Sequence, residues 1–481
     1  VVFKKKILIV GYGSVARCLL PLLFEHLSIP HNRITIVDKK DKTDDLASWI
    51  KKGIRFFQRT ITPLNLARVL SEHVSSGDAI IDLSWNIECI DILAWCHDNN
   101  VLYVNSSMED WDPFANISTQ SLYEKSLYHK QEKIRTMANG WSGPQTTAII
   151  DHGANPGLVS HFMRKGLVDI ALTMLQDNSV SKKRKASIEQ YLSTQEYAHL
   201  SKTLEVKVIH ISEHDTQITN NPKQNNEFVG TWSIEAMHEE SLAPAEFAWG
   251  THETNVPLFA TFAPTNKKQI FLPQMGMNTW IRSWVPDEEI IGMVIRHAEI
   301  VTISHSLSVE EKGKTIYSPT VNYAYMPCNE TIVSLHELRC RNYELQTNLR
   351  ILNDEIIEGA DKLGALIMGH RYHAWWTGSL LSIQEARKLV PHQNATTLQV
   401  AIGVIAAFMW MIKNPSQGVC MPDDLPYEPI LATAQPYLGE FISKPVDWNP
   451  LKNYQVFFKE NPTLTPDRKN IWSFNNFLFS S

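Results

Sequence analysis

A chain of 481 residues, 43% hydrophobic and 20% charged, has a globular composition and is too long for one compact core, so two or three domains are expected. Its formal net charge of -6 gives no global basic field of the kind that advertises nucleic acid. Six cysteines (18, 89, 96, 328, 340 and 420) form no Cys-x-x-Cys pair and no metal-type spacing with histidine, so reduced thiols, no metal site and a cytoplasmic location are expected.

The chain opens on Ile7-Leu8-Ile9-Val10, a buried strand, followed by Gly11-Tyr12-Gly13-Ser14-Val15-Ala16, a glycine turn that starts a helix. This is a place to hold a dinucleotide. No secretory segment is read before it, since a glycine turn and a charged helix follow where a cleavage site would stand. Gly11 permits the tight turn and Gly13 lets the backbone approach a pyrophosphate. The helix start at Ser14 and Val15 presents unpaired N–H groups and a partial positive charge. Asp38 ends the next apolar run, Ile34-Thr35-Ile36-Val37. A carboxylate there can accept both ribose hydroxyls of NAD and repel the extra phosphate of NADP, a preference that Lys39 and Lys40 weaken.

Short apolar segments then alternate with helical ones over 54–57, 64–74, 79–83, 90–96 and 102–104, the pattern of a Rossmann-type doubly wound parallel sheet. Ligands of such sheets sit beyond the carboxyl ends of the strands. Ser84, Trp85 and Asn86 stand at one such end, and the loop 106–111 at the next. Glu109, in that loop, reads equally as a cleft residue or a surface acid. A further strand, 147–150, runs into Asp151-His152-Gly153-Ala154-Asn155-Pro156-Gly157 and a helix over 158–175. Pro156 suits a first helical turn and Asn155 its cap, while the same amide can reach the nicotinamide end of a dinucleotide.

Residues 176–185, with the basic run Lys182-Lys183-Arg184-Lys185, read as a solvated loop near the start of a second domain, followed by a helix over 187–204 and a strand over 206–213. From 208 to 253 there are eight acids (Glu213, Asp215, Glu227, Glu235, Glu239, Glu240, Glu246 and Glu253) against one base, Lys223. Most of them are expected to form a solvated face. Their mixture with Trp232 and Trp249 points further, because carboxylates beside an aromatic ring make a site for an organic cation. A substrate bearing carboxylates would require Arg or Lys there.

Beyond this segment, 291–303 reads as strand and carries His297, which fits either a satisfied core histidine or an acid–base group. A helix follows over 331–339, and Asn394-Ala395-Thr396 opens one running to 412. The apolar stretch 400–412 is short of the ~20 residues that span a bilayer and reads as a buried helix, so no membrane is expected. The tail from 450 carries no recognisable chemistry. The expected division is 1–155 for the dinucleotide domain, 156–390 for a substrate-binding and catalytic domain, and 391–481 for a C-terminal helix returning towards the cleft, plus the tail.

Together with the glycine turn, several further stretches carry a resemblance: 153–157, His210-Ile211-Ser212-Glu213-His214-Asp215-Thr216-Gln217, Thr231-Trp232-Ser233-Ile234-Glu235, Trp249-Gly250-Thr251-His252-Glu253, Leu352-Asn353-Asp354-Glu355-Ile356 and Gln393-Asn394-Ala395-Thr396. On these, in order over roughly residues 5 to 448, the chain resembles the bacterial homospermidine synthases, within the saccharopine dehydrogenase-like group. The resemblance implies a Rossmann-type NAD domain, a second α+β domain on a mixed sheet, and a homodimer. It further implies putrescine or spermidine as aminobutyl donor, putrescine as acceptor, and NAD that is reduced and reoxidised without net redox. It places Trp232 at a substrate ammonium, Glu213 and Glu240 as pocket carboxylates, and Asn155, Glu109 and His297 along the cleft. Ala16 replaces the family's third glycine, and Asn86 stands where the family carries an acid. Two other readings are a net oxidoreductase of the same group, for which Arg282, Arg296 or Arg350 can supply a carboxylate clamp, and a dinucleotide-sensing protein without chemistry.

Overall fold

The computed structural model describes residues 1–115, 118–143, 145–455 and 466–479. The buried run Ile7–Val10 becomes an inner strand of a seven-stranded sheet. From one edge to the other its order is Val419–Cys420, Ala148–Ile149, Leu102–Asn105, Ala79–Asp82, Ile7–Val10, Ile34–Asp38, Arg55–Gln58. All neighbours are parallel, and helices supply the crossovers, as parallel pairing demands. The chain runs outward from Ile7–Val10 through Ile34–Asp38 and then returns on the other side at Ala79–Asp82, which opens a crevice at the carboxyl end of the first strand.

The second sheet is mixed and has ten strands. Along its main path the order is Thr261–Phe262, Gln269–Met275, Pro244–Ala248, Thr320–Met326, Val208–Asp215, Ala360–Met368, Ala374–Ser382, Glu440–Val446. Thr320–Met326 and Val208–Asp215 run parallel at its centre, and Ala360–Met368 pairs antiparallel beside them. The long helix Leu158–Gln176 packs on Ala360–Met368 and Ala374–Ser382. The expected fold class, a Rossmann-type parallel sheet with a second domain on a mixed sheet, is therefore what the chain adopts.

Among the connections that tie the halves together are an acid at a helix start and a long buried helix. Glu246, on the second sheet, accepts from the N–H groups of Leu127 and Tyr128 at 3.0 and 2.9 Å, at the start of helix Leu127–Asn139; a carboxylate is favoured at that positive end. Helix Ala395–Lys413, capped by Asn394, packs against Ser14–His26. With 19 residues and a mean hydropathy of 1.8 it is long and apolar enough to cross a bilayer, yet it lies mostly buried inside the molecule. The chain after it adds the edge strand Val419–Cys420 to the first sheet. In the tail, Phe474 stacks on Phe247 with ring centroids 4.2 Å apart; part of the tail, 456–465 and 480–481, lies outside the described residues.

Several local expectations are corrected. The basic run 182–185 is the first turn of helix Lys182–Thr194, because Ser181 caps it by accepting from the Arg184 N–H. The expected helix 187–204 is broken at Gln195, in the left-handed region at φ 56°, and resumes as Tyr197–Leu204. The expected strand 291–303 ends at Met293 and is followed by helix Ala298–Leu307. That helix is buried nearly all round, polar Glu299, Thr302 and Ser304 included, and its β-branched run Ile300-Val301-Thr302-Ile303 reads locally as strand.

Gly403 lets the buried helix lie against the loop after Ala148–Ile149: a Cβ at this position would sit 2.0 Å from the Gly153 carbonyl oxygen. Gly403→Ala is expected to cost about 1–3 kcal/mol through overpacking, read as a lower thermal midpoint. An unchanged midpoint would mean that helix and loop can separate freely.

Candidate active site

The dinucleotide crevice follows from the first parallel strands. Gly11 sits at φ +85°, with its N–H on the Val37 carbonyl at 2.8 Å. A Cβ there would lie 2.6 Å from the Leu83 carbonyl oxygen, so glycine alone allows the turn to back onto the neighbouring strand. A Cβ on Gly13 would meet nothing within 4 Å, so the turn faces open space at the N-terminus of helix Ser14–His26. There the first N–H groups, those of Ser14 and Val15 included, lack intrahelical acceptors. Asp38 accepts from the Tyr12 N–H and the Lys40 N–H, each at 2.7 Å, one on each oxygen, which leaves both oxygens a lone pair for ribose hydroxyls. Ser84 donates its hydroxyl to Asp82 at 2.6 Å and keeps acceptor capacity only. Two buried polar atoms beside it, Trp85 Nε1 and Asn86 Oδ1, have no protein partner. An open glycine turn, a ribose-ready acid and orphaned polar atoms fit a dinucleotide.

Across the cleft stands a cluster of carboxyl groups. Glu213, near the end of Val208–Asp215, is 3% exposed. Its Oε2 accepts from Asn155 Nδ2 at 2.6 Å and from the Tyr323 hydroxyl, and Asn155 Nδ2 also reaches the Tyr323 oxygen at 2.8 Å. Burial raises Glu213 to about 7 against the opposing pull of those two donors. Asp361 lies opposite Asp215 in the antiparallel register. It accepts from the Thr396 hydroxyl at 2.6 Å, and burial together with the charges of Glu213 and Asp215 pushes it well above the usual carboxylate range. Asp151, also buried, is raised to about 7 by desolvation.

Glu240 belongs to the same cluster. Its side chain is 19% exposed, yet its Oε2 is buried without a partner. Burial, then the charges of Glu109, Asp151 and Glu213, hold it well above its ordinary value. Glu109 accepts from the Ser107 hydroxyl at 2.8 Å and is raised by burial, with Lys130 opposing. His297 lies between carbonyls: Nδ1 is 2.7 Å from the Arg296 oxygen and Nε2 is 2.9 Å from the Asn155 oxygen, while Glu240 Oε2 is 4.0 Å from Nδ1. Burial pushes the imidazole down to about 4. A neutral ring can donate to only one of the two carbonyls, so a proton taken up there would satisfy the second contact.

Trp232 completes the wall. Its Nε1 donates to the Tyr325 hydroxyl at 3.0 Å, and the Tyr325 and Tyr323 rings stack 5.4 Å apart at 15°. Glu213, Glu240, His297, Asn155 and Glu109 are thus linked through direct contacts or mutual electrostatics, and Trp232 reaches them by way of Tyr325 and Tyr323. Asn155 does not cap the following helix: Gly157 holds that position, and its N–H donates to Glu299 at 2.7 Å. The acid-rich segment is not a solvated face either. Glu213, Asp215, Glu227 and Glu246 are buried, and Glu253 is sealed under the tail, accepting from the Phe474 N–H. Trp249 belongs to the core, against Phe247 and Phe474.

Sequence reasoning missed Asp361, Asp151, Tyr323 and Tyr325. Asp151 follows a strand of the parallel sheet and was findable by position, as were the alternating tyrosines of Thr320–Met326. Asp361 depends on strand register, which leaves no local signal. The arginines available for a carboxylate clamp are all engaged: Arg282 with Glu289 at 3.0 Å, Arg296 with Glu239, and Arg350 with Glu227 and Glu355 at 2.8 and 2.7 Å. Lys130 is held by Asp110 at 2.6 Å and the Met108 carbonyl at 2.7 Å.

Fold and site together define a two-domain, dinucleotide-binding α/β enzyme with an acid-lined cleft suited to a polycation. Residues 7–149 match the saccharopine dehydrogenase NADP binding domain family, and residues 153–446 the saccharopine dehydrogenase C-terminal domain family. The chain is 35% identical over 479 residues to the homospermidine synthase of Blastochloris viridis, covering 98% of this chain and 97% of that protein. It is 34% identical over 479 residues to the homospermidine synthase of Mesorhizobium japonicum, covering 98% and 96%. Among solved structures, the homospermidine synthase of Legionella pneumophila in complex with NAD superposes with a TM-score of 0.87 at 34% identity, covering 100% of this chain and 99% of that one. The chain belongs to the homospermidine synthase family.

Removing a donor from ionised Glu213 favours its neutral form. Tyr323→Phe is therefore expected to raise the Glu213 pKa by about one pH unit, given ~1.5–3 kcal/mol for a hydrogen bond to a charged group and 1.36 kcal/mol per unit. The acidic limb of the kcat/KM profile then moves to higher pH. A limb that stays in place would separate Glu213 from the rate-controlling ionisation.

Proposed function

We propose that the chain makes homospermidine from two molecules of putrescine, releasing ammonia, with NAD as a resident cofactor and with spermidine as an alternative aminobutyl donor. The observation that carries this reading is the group of buried carboxyls Glu213, Asp361, Glu240, Glu109 and Asp151 beside Trp232, with the nearby Lys130 and Arg296 already committed to other acids. Such acids stay protonated until a cation enters, and a diammonium supplies two positive charges that favour their ionised forms. NAD, when bound, supplies acceptance and return of the hydride at the amine-bearing carbon.

The residues divide the remaining work. An ammonium must lose a proton before its carbon can be oxidised. Glu213, near neutrality and with both donors on Oε2, takes that proton at Oε1; His297 and Glu240 hold a second proton position 4.0 Å apart. Trp232, fixed by the Tyr325 hydroxyl, presents its ring to the ammonium that stays charged. Asn155 joins the halves of the site by orienting Glu213 with its amide and His297 with its carbonyl. Burial of these groups excludes water while the imine exists, so amine exchange outruns hydrolysis. The nitrogen of the second putrescine adds to the imine carbon, ammonia leaves from that same carbon, and reduction of the resulting secondary imine closes the cycle. The family resemblance supports a cytoplasmic homodimer for the same enzyme.

Protein incubated with NAD and putrescine is expected to yield homospermidine and ammonia in equal amounts without accumulating NADH; NADH rising with product would sink the proposal. Trp232→Ala is expected to lower turnover about tenfold or more, from a desolvated cation–π contact of ~2 kcal/mol, with cofactor retained. Diamine kinetics equal to those of the wild type would rule out the ring's role.

A further inference from the structure

Cofactor that gives back what it takes must stay bound through the cycle, and the glycine turn alone does not explain retention. The loop after Ala79–Asp82 lies directly against that turn, since a Cβ on Gly11 would strike Leu83 and Ser84. Asn86 takes a left-handed conformation at φ 63°, and its N–H bonds Glu109. On the opposite side Trp85 meets Lys39, whose Nζ is 5.1 Å from the ring centroid. Lys39 follows Asp38, the acid whose carboxylate holds the Tyr12 N–H. The Lys39–Trp85 contact therefore spans the glycine turn, joining the carboxyl ends of strands on its two sides. At the same place Trp85 Nε1, a donor, and Asn86 Oδ1, an acceptor, are buried without partners. Buried orphans of complementary type point to a ligand that brings an acceptor and a donor; a dinucleotide carries both, in its phosphate and ribose oxygens and its ribose hydroxyls.

We propose that Lys39 and Trp85 form a clasp over the glycine turn that retains NAD between turnovers, with Trp85 Nε1 donating to a phosphate or ribose oxygen of the cofactor and Asn86 Oδ1 accepting from one of its hydroxyls. The clasp rests on the reading of NAD as a resident cofactor. It assigns the cation–π pair to retention and leaves the reacting end of the cleft to Glu213, Glu240 and Trp232.

Dissociation of NADH is measured by chasing preloaded protein with excess ADP-ribose and following cofactor fluorescence without diamine. Lys39→Met keeps the aliphatic stem and removes the charge; Trp85→Phe keeps a ring and removes the N–H; Asn86→Gly keeps the left-handed turn and removes the acceptor. Each is expected to speed release by about 3- to 10-fold, with thermal midpoints near that of the wild type. Lys39→Met on a Trp85→Ala background is expected to add nothing further. Wild-type release rates in the single variants, or independent effects in the double variant, would overturn the clasp. A wild-type chain that takes up no NADH would overturn it together with the cofactor reading. Slow release that these variants accelerate, in a chain inert towards putrescine, would sink the proposed reaction and leave the clasp standing.

Discussion

Carboxyl groups buried together without a cation of their own impose the condition from which the rest of this structure follows. Each ionised member is costly in a desolvated site, and each additional charge raises the cost of the next. Glu213, Asp361, Glu240 and Asp151 respond by holding protons at pH values where exposed acids have lost them. Lys130 relieves this only in part, at Glu109 and Asp151, because Asp110 and Glu239 already engage Lys130 and Arg296. A polycation entering the cluster, as proposed, would lower that cost.

Holding such a cluster in place requires a rigid frame, and the frame comes from both halves of the chain. The loop 151–157 carries Asp151 and Asn155. It is pressed from behind by the buried helix at Gly403 and fastened at Gly157 by Glu299. Glu213, Asp215 and Asp361 come from adjacent strands of the second sheet, where register decides which acids meet. Glu246 ties that sheet to the first domain through the start of helix Leu127–Asn139.

The parts of the fold legible in the sequence are those written locally. Strand, glycine turn, helix and Asp38 occur within the first 38 residues and need no distant partner to be recognised. The unusual chemistry of 208–253 was visible as composition, but its physical meaning was not: a run of acids reads as solvated, and only packing shows that Glu246 caps a helix and Glu227 pairs with Arg350. Asn155 preceded a proline and a helix, so capping was the local expectation; the long-range partners Glu213 and Tyr323 won instead. Asp361 opens an apolar strand like many surface acids, and its place in the site exists only once that strand is paired.

The most direct measurement is of protons. Putrescine is titrated calorimetrically at pH 7 into the NADH-loaded protein, which cannot oxidise it, in buffers of differing ionisation enthalpy. A diammonium entering the cluster favours the ionised carboxylates, so net release of about one proton or more is expected for each diamine bound. Binding with no release, or with proton uptake, would contradict it.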